Sequence, residues 1–127
     1  MQHDPGSPTS WLVFANSDLA LAKNAAGPKV LLESLCFHAQ QAAEKAIKAV
    51  LIHSGIPAPK THSIERLIDL LPPDVDRIPT LLEAAQLTNY AVISRYPGDE
   101  PPIPADEYND AVRLAEAVVE WAEQIIR

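Results

Sequence analysis

This 127-residue chain has little of what builds a disulfide scaffold, a thiolate metal site or a membrane span. Its one cysteine, Cys36, can form no disulfide within the chain and no cysteine cluster for zinc. Aromatic residues make up only 6% of the sequence. No apolar run approaches the roughly 20 residues that a membrane-spanning helix needs. The sequence therefore excludes a disulfide-stabilised protein, a protein with a cysteine-ligated zinc site and a membrane-spanning protein.

Basic residues are also scarce. Ten of them against 17 acidic residues give a net charge of −7. Such a chain has no general attraction for nucleic acid or anionic lipid, so an RNA contact needs a local basic patch or a partner protein. The polar stretch 1–9 does not read as a secretory signal and is expected to be a disordered tail. We therefore expect a cytoplasmic protein that does not associate with membranes.

Apolar residues make up 47% of the chain and recur at three- and four-residue steps, which predicts helices. No alternating β-branched run indicates a strand. The predicted fold is an all-α antiparallel bundle of four longer helices and one short helix, in one domain over residues 10–127. Five helices are predicted. The first runs from Trp11, with Ser10 as its N-cap, to about Ala25, and the second runs from Lys29 to about Ser54. The third runs from about His62 to Leu71, the fourth from near Pro79 to about Ser94, and the fifth from about Ala105 to Arg127.

The second predicted helix has a mixed polar face opposite its broad apolar arc. Glu44 and Lys48 are four residues apart, a spacing that gives a helical ion pair of about 0.2–0.5 kcal/mol on a solvated surface. Phe37 lies among Gln40, Gln41 and these charges. An aromatic ring beside amides and paired charges is more typical of an interface than of a free surface. We favour a dimer or partner face formed by Phe37, Gln40, Gln41, Glu44 and Lys48; a solvated face is the alternative.

Three segments in order carry a resemblance to a known family. They are CFHAQQAAEKAIKA at 36–49, KTHSI at 60–64 and RYP at 95–97. With these segments the chain resembles, over residues 10–127, prokaryotic stand-alone HEPN-domain proteins of the nucleotidyltransferase substrate-binding type. The resemblance implies a helical bundle that forms a homodimer and stands beside a minimal nucleotidyltransferase in a toxin–antitoxin pair.

Active HEPN toxins resemble metal-independent ribonucleases, in which an arginine is followed, after four to six residues, by a histidine. Arg95 matches the arginine of that motif. Glu100, Pro101 and Pro102 occupy the positions where the histidine belongs, and no histidine follows Arg95. The resemblance therefore favours a binding module that is not itself an enzyme. The alternative is a ribonuclease that uses Arg95 with a non-standard partner, His62 or Tyr96.

Each candidate site residue also has a structural interpretation. Arg95 at a predicted helix end either stabilises the exposed carbonyls or binds phosphate. Tyr96 either stacks on a base or closes the bundle. Lys48 joins these two as a candidate contact for nucleotide or RNA. His62 is either a residue at a helix start or an acid–base group.

No metal or cofactor is expected. His38 and His53 are fifteen residues apart on one predicted helix, which is too far for a shared ion, and neither has a carboxylate at suitable helical spacing.

Overall fold

A computed structural model describes residues 6–24, 27–91 and 101–127 of the chain. Within these ranges every regular element is helical, which confirms the all-α prediction. The elements are α1 (Pro8–Ala22), α2 (Leu32–His53), α3 (Ile64–Asp69), α4 (Thr80–Ala84), a 3-10 helix (Ala85–Tyr90) and α5 (Ala105–Ile126).

Helix α1 begins three residues before the predicted start. Ser7, not Ser10, is the N-cap, and its side-chain oxygen accepts a hydrogen bond from the backbone N–H of Ser10 at 3.1 Å. Pro8 follows as the first helical residue, where its fixed φ and missing N–H cost nothing. Residues 8 and 9 therefore belong to the helix and not to the predicted tail.

Helix α2 is the centre of the bundle, and its predicted end is confirmed. Ser54 caps it, and Gly55 follows with φ +81°, a conformation that an L side chain rarely adopts. The helix packs against α1, α3, α5 and the 3-10 helix, so it is buried on more than one side. It runs antiparallel to α1, because Trp11 lies near Lys48 whereas Asp18 contacts His38.

The two shorter predicted helices differ most from the structure. His62 precedes α3, because Ser63 is extended (φ −81°, ψ 107°) and caps the helix through a bond from the Arg66 N–H. The expected long fourth helix is instead the five-residue α4 continued by the 3-10 helix. Thr88 in that segment has low helix propensity, and its hydroxyl accepts the backbone N–H of Ile64 at 3.0 Å.

Large aliphatic side chains fill the core between α2, α3 and α5. Ile47, Leu51, Ile64 and Leu67 are each completely buried. Burial of one such side chain stabilises the fold by about 1.5–3 kcal/mol. Alanines line the remaining contacts of α2 and allow α1 and α5 to approach closely. This packing fixes the polar side chains that lie on the α1 side of α2.

Candidate functional site

The structure places most of the predicted partner face inside the chain. Gln40, Glu44 and Lys48 are 0%, 3% and 6% exposed, whereas Phe37 and Gln41 are partly exposed. The prediction placed all five on one polar arc of α2, as a face for a dimer or a protein partner. The arc is instead covered by α1 and by the loop before α3, which a helical projection of α2 alone does not include. Only Phe37 and Gln41 remain available to a partner.

Glu44 is the centre of a buried polar network. Its Oε1 accepts a hydrogen bond from Gln40 Nε2 at 3.0 Å and lies 2.9 Å from His62 Nδ1. Its Oε2 accepts a hydrogen bond from Lys48 Nζ at 3.0 Å. Gln41 Nε2 donates to Gln40 Oε1 at 2.7 Å and extends the network towards the surface. Both carboxylate oxygens are therefore occupied by partners from the same chain.

These partners keep Glu44 ionised. Burial alone would raise its pKa, because a low-dielectric surrounding disfavours the charged form. Hydrogen bonds from Gln40, His62 and Lys48, together with the positive charge of Lys48, outweigh burial and lower the pKa from its ordinary value of 4.5. The positive charge of Lys48 is in turn paired with the carboxylate of Glu44. A phosphate group would therefore have to displace that carboxylate to bind the ammonium.

His62 is held at two points by α2. Its Nδ1 faces Glu44, and its backbone carbonyl accepts a second hydrogen bond from Gln40 Nε2 at 3.2 Å. Its side chain is nevertheless 63% exposed. When Nδ1 is the protonated nitrogen of a neutral ring and donates a hydrogen bond to Glu44, Nε2 is the acceptor, and the described residues give Nε2 no partner. This geometry suits two roles for His62. The imidazole is oriented to act as an acid or base, and its contacts also hold the loop before α3 against α2.

A second carboxylate, Asp18 of α1, has the same kinds of partner. Its Oδ1 lies 3.0 Å from His38 Nδ1, and its Oδ2 accepts a hydrogen bond from Lys45 Nζ at 2.6 Å. Lys45 Nζ also lies 5.9 Å from the centre of the Phe14 ring. The helical spacing around His38 indicates no carboxylate partner, so its contact with Asp18 is not predicted from the sequence. The available signal was an acidic residue on the apolar arc of α1, which requires a partner when buried.

The outer side of α1 leaves large apolar side chains in solvent. Val13, Phe14 and Leu21 are 51%, 60% and 47% exposed. The inner side buries Ala15 and Leu19 against the core. An isolated surface leucine needs no explanation, but three such residues on one 15-residue helix form an apolar strip beside the Asp18 set.

Comparison with known protein families identifies the fold. Residues 9–125 match the sequence profile of the HEPN domain family. The chain belongs to the HEPN domain family. The predicted resemblance is therefore confirmed at the level of the family.

Solved structures agree with this assignment. The HEPN chain is similar to the protein TT1696 from Thermus thermophilus, with a TM-score of 0.78 and 34% identity over 94% of this chain and 98% of that one. It is also similar to ST0689, an archaeal HEPN homologue, with a TM-score of 0.74 and 26% identity over 95% and 98% of the two chains. No curated protein matches the chain.

Two candidate residues of this HEPN protein, Arg95 and Tyr96, lie outside the described residues. Before them, Tyr90 donates a hydrogen bond from its hydroxyl to Glu107 Oε2 of α5 at 2.5 Å, and the Thr88 hydroxyl accepts one from the backbone N–H of Ile64 at 3.0 Å. Ile64 is two residues from His62. The described chain that precedes the Arg95 segment is thus attached beside the loop that carries His62.

The described parts of the HEPN chain contain no group of three or more His, Cys, Asp or Glu side chains arranged for a metal ion. The Asp18 and Glu44 sets each have one carboxylate and one imidazole, and each is bonded to a lysine. The sole cysteine, Cys36, is buried. Among the helices in residues 6–24, 27–91 and 101–127, none has the length and apolar character to cross a bilayer.

Proposed function

We propose that this protein is a homodimeric HEPN binding module that associates with a minimal nucleotidyltransferase in a toxin–antitoxin-type pair. The family assignment supports the module, and the nucleotidyltransferase partner follows from the family resemblance. The single observation that carries the proposal is the strip of exposed apolar side chains on α1, Val13, Phe14 and Leu21.

The charged groups beside this strip support association over catalysis. Asp18 and Glu44 are each bonded to a lysine and a histidine of the same chain. A catalytic phosphate site usually presents unpaired cations to its substrate, whereas Lys45 and Lys48 are each ion-paired with a carboxylate of the same chain. Apolar area next to satisfied polar groups is the usual composition of a protein interface.

Two measurements test the proposal. Multi-angle light scattering at micromolar concentration is expected to give about twice the 13.8 kDa chain mass. We expect a minimal nucleotidyltransferase to be encoded in the neighbouring reading frame. Co-expression of the two proteins should yield a complex that survives gel filtration. A strictly monomeric protein contradicts pairing, and the absence of a complex with that purified partner contradicts the association.

The second candidate is a metal-independent ribonuclease. The contact between Glu44 and His62 favours it, because a carboxylate that holds Nδ1 leaves Nε2 directed to accept a proton from a ribose 2′-hydroxyl. The Arg95 guanidinium is the predicted group for the phosphate. Both imidazole and guanidinium act without a metal ion.

Cellular RNA incubated with the protein in EDTA tests the ribonuclease candidate. Cleavage by the wild type that is lost in both His62→Ala and Arg95→Ala supports it, provided that both variants keep the wild-type melting temperature. Persistent cleavage by these variants indicates a contaminant and rejects the candidate. Intact RNA with the wild type also rejects it and leaves the binding module.

A further inference from the structure

A cavity of about 300 Å³ lies between the 3-10 helix and the first half of α5. Its floor is apolar and buried, because Leu87, Ala111 and Leu114 are 1%, 3% and 2% exposed. Tyr90 also lines the cavity. The other lining residues are polar and exposed, and they are Gln86, Asn89, Glu107 and Asp110. We call this cavity the α5 pocket.

The two helices present the polar side chains of the α5 pocket as two pairs. Gln86 and Asn89 are three residues apart, and side chains at this spacing are eclipsed in a 3-10 helix. Glu107 and Asp110 have the same spacing on α5, where such residues are neighbours on one helix face. The pocket is therefore bordered by two carboxamides from one helix and two carboxylates from the other.

Contacts within the chain orient both carboxylates and occupy one oxygen of each. Glu107 Oε2 accepts a hydrogen bond from the Tyr90 hydroxyl at 2.5 Å. Asp110 Oδ1 accepts hydrogen bonds from Arg113 Nε at 3.0 Å and from Arg113 Nη2 at 2.8 Å. Among the described residues, Glu107 Oε1 and Asp110 Oδ2 have no protein donor, so both oxygens remain available to a ligand.

We propose that the α5 pocket binds a guanidinium group, supplied by a small molecule or by an arginine side chain of another protein. The inference goes beyond pairing and the nucleotidyltransferase association and depends on neither. It rests on the acceptors that border the pocket, its apolar floor and its charge.

The charge of the α5 pocket selects a cation. None of the residues that line it is basic, and the whole chain carries a net charge of −7. Such a surface raises the local concentration of cations and repels phosphate. The volume is at the lower end of the range of about 300–1,000 Å³ for ligand pockets, which suits a small head group better than a whole nucleotide.

The number and placement of the acceptors favour guanidinium over ammonium. A guanidinium is planar and has five N–H donors, so it can bond to acceptors on both helices at once. It is also more weakly hydrated than an ammonium and therefore lies over an apolar floor at lower cost. The guanidinium of Arg113 shows the same chemistry within the chain, because it joins Asp110 to Glu83 Oε2 of α4, at 3.4 Å from the latter. Hydrogen bonding and charge from Asp110, followed by Glu83, raise the pKa of Arg113.

A titration followed by NMR of the isotope-labelled protein tests the ligand chemistry, at about 0.15 M salt so that general attraction is screened. The guanidinium probes are agmatine and N-acetyl-arginine amide. N-acetyl-citrulline amide is the neutral analogue, and N-acetyl-lysine amide has the charge without the planar donors. We expect the guanidinium probes to shift signals of residues 86–90 and 107–114, with a dissociation constant on the order of 1 mM. The lysine compound should bind several-fold more weakly, and the citrulline compound should cause no shift.

Two pairs of matched substitutions test the location. Glu107→Gln and Glu123→Gln each remove one negative charge from an exposed position of α5. The first is expected to weaken binding of N-acetyl-arginine amide about fivefold, and the second to leave it unchanged. Asn89→Ala should weaken binding about twofold, whereas Asn109→Ala, at an exposed position outside the pocket, should have no effect. Because all four side chains are exposed, each variant is expected to keep the wild-type circular dichroism.

The outcomes identify the source of the guanidinium and separate this inference from the proposed function. Tighter binding of N-acetyl-arginine amide assigns the pocket to a protein side chain, and tighter binding of agmatine assigns it to a small molecule; both support the inference. No shift with either probe, or equal binding of the lysine compound, overturns it. Equal weakening by Glu107→Gln and Glu123→Gln shows general charge attraction and also overturns it. A monomeric protein, or one that forms no complex with the nucleotidyltransferase, contradicts only the proposed function.

Discussion

His62 Nδ1 lies 2.9 Å from Glu44 Oε1, although the side chain of His62 is 63% exposed and that of Glu44 only 4%. This contact therefore links a solvent-exposed imidazole to a carboxylate inside the bundle. The loop before α3 is attached to α2 through this contact and through the bond from Gln40 to the His62 carbonyl. The first two predictions follow from this arrangement.

Glu44→Gln is expected to destabilise the fold by about 3 kcal/mol at neutral pH, because Lys48 loses its buried counter-charge. The pKa of Glu44 is lowered in the folded state, so its stabilisation is present above the unfolded pKa near 4.5 and is lost as pH falls through the folded value. Urea unfolding at pH 7 and at pH 3 should show the difference between variant and wild type shrinking at the lower pH. Glu123→Gln, on the exposed side of α5, is the control, and equal losses at both pH values would contradict the assignment.

His62→Ala is expected to loosen the loop before α3 with little effect on the rest of the bundle. The variant loses the contact to Glu44 but keeps the backbone carbonyl that Gln40 binds. Trypsin cleavage after Lys60, an exposed residue of that loop, should become several-fold faster in native conditions. His53→Ala, which changes an exposed histidine at the end of α2, should cleave at the wild-type rate. Unchanged cleavage after Lys60 in the His62 variant would show that the imidazole does not hold the loop.

Asp18→Asn is expected to cost about 2 kcal/mol, because Lys45 loses its counter-charge at a largely buried position and one of the two carboxylate acceptors becomes an NH2 donor. Asp110→Asn breaks an ion pair with Arg113 in which both side chains are more than half exposed. The midpoint of urea unfolding should therefore fall clearly for the first variant and hardly change for the second. Similar shifts for both would mean that Asp18 is not stabilised by burial with its partners.

Tyr108→Phe is expected to destabilise the protein by about 1.5 kcal/mol. The hydroxyl donates a hydrogen bond to the carbonyl of Ala22 at 2.6 Å and ties α5 to the end of α1. Burial, followed by the nearby Cys36, raises the pKa of Tyr108, so the group remains a neutral donor. Chemical unfolding measures the loss, and hydrogen exchange near Ala22 should increase. A variant with wild-type stability and exchange would contradict a structural role for this bond.

Helix boundaries show how far local sequence patterns reach. The end of α2 near Ser54 is correctly predicted, because the left-handed residue that follows the helix, Gly55, is a local requirement. Pro8 and Ser7 also carry a local signal, a proline at the first helical position, yet the predicted start at Trp11 overlooked it. The 3-10 helix was predicted as part of a longer α-helix; one of its contacts, from the Ile64 N–H to the Thr88 hydroxyl, joins residues 24 apart in the chain and has no local sequence signal.

The candidate site also has one part that the sequence predicts and another that it does not. The pair of Glu44 and Lys48 follows from helical spacing alone, and the structure contains it. Its burial does not follow, because burial depends on α1 and on the loop before α3 covering α2. The same packing joined Asp18 to His38 over a separation of 20 residues. Long-range contacts of this kind leave no periodic signal in a single sequence.

The sequence by itself determined an all-helical bundle and the HEPN family, because helix periodicity, chain breakers and three short motifs are local properties. Only the tertiary structure decided which polar residues of α2 face solvent. It placed Gln40, Glu44 and Lys48 inside the chain and left Phe14 and Leu21 of α1 exposed. The physical reason is that exposure belongs to the assembly of packed elements and not to any one helix.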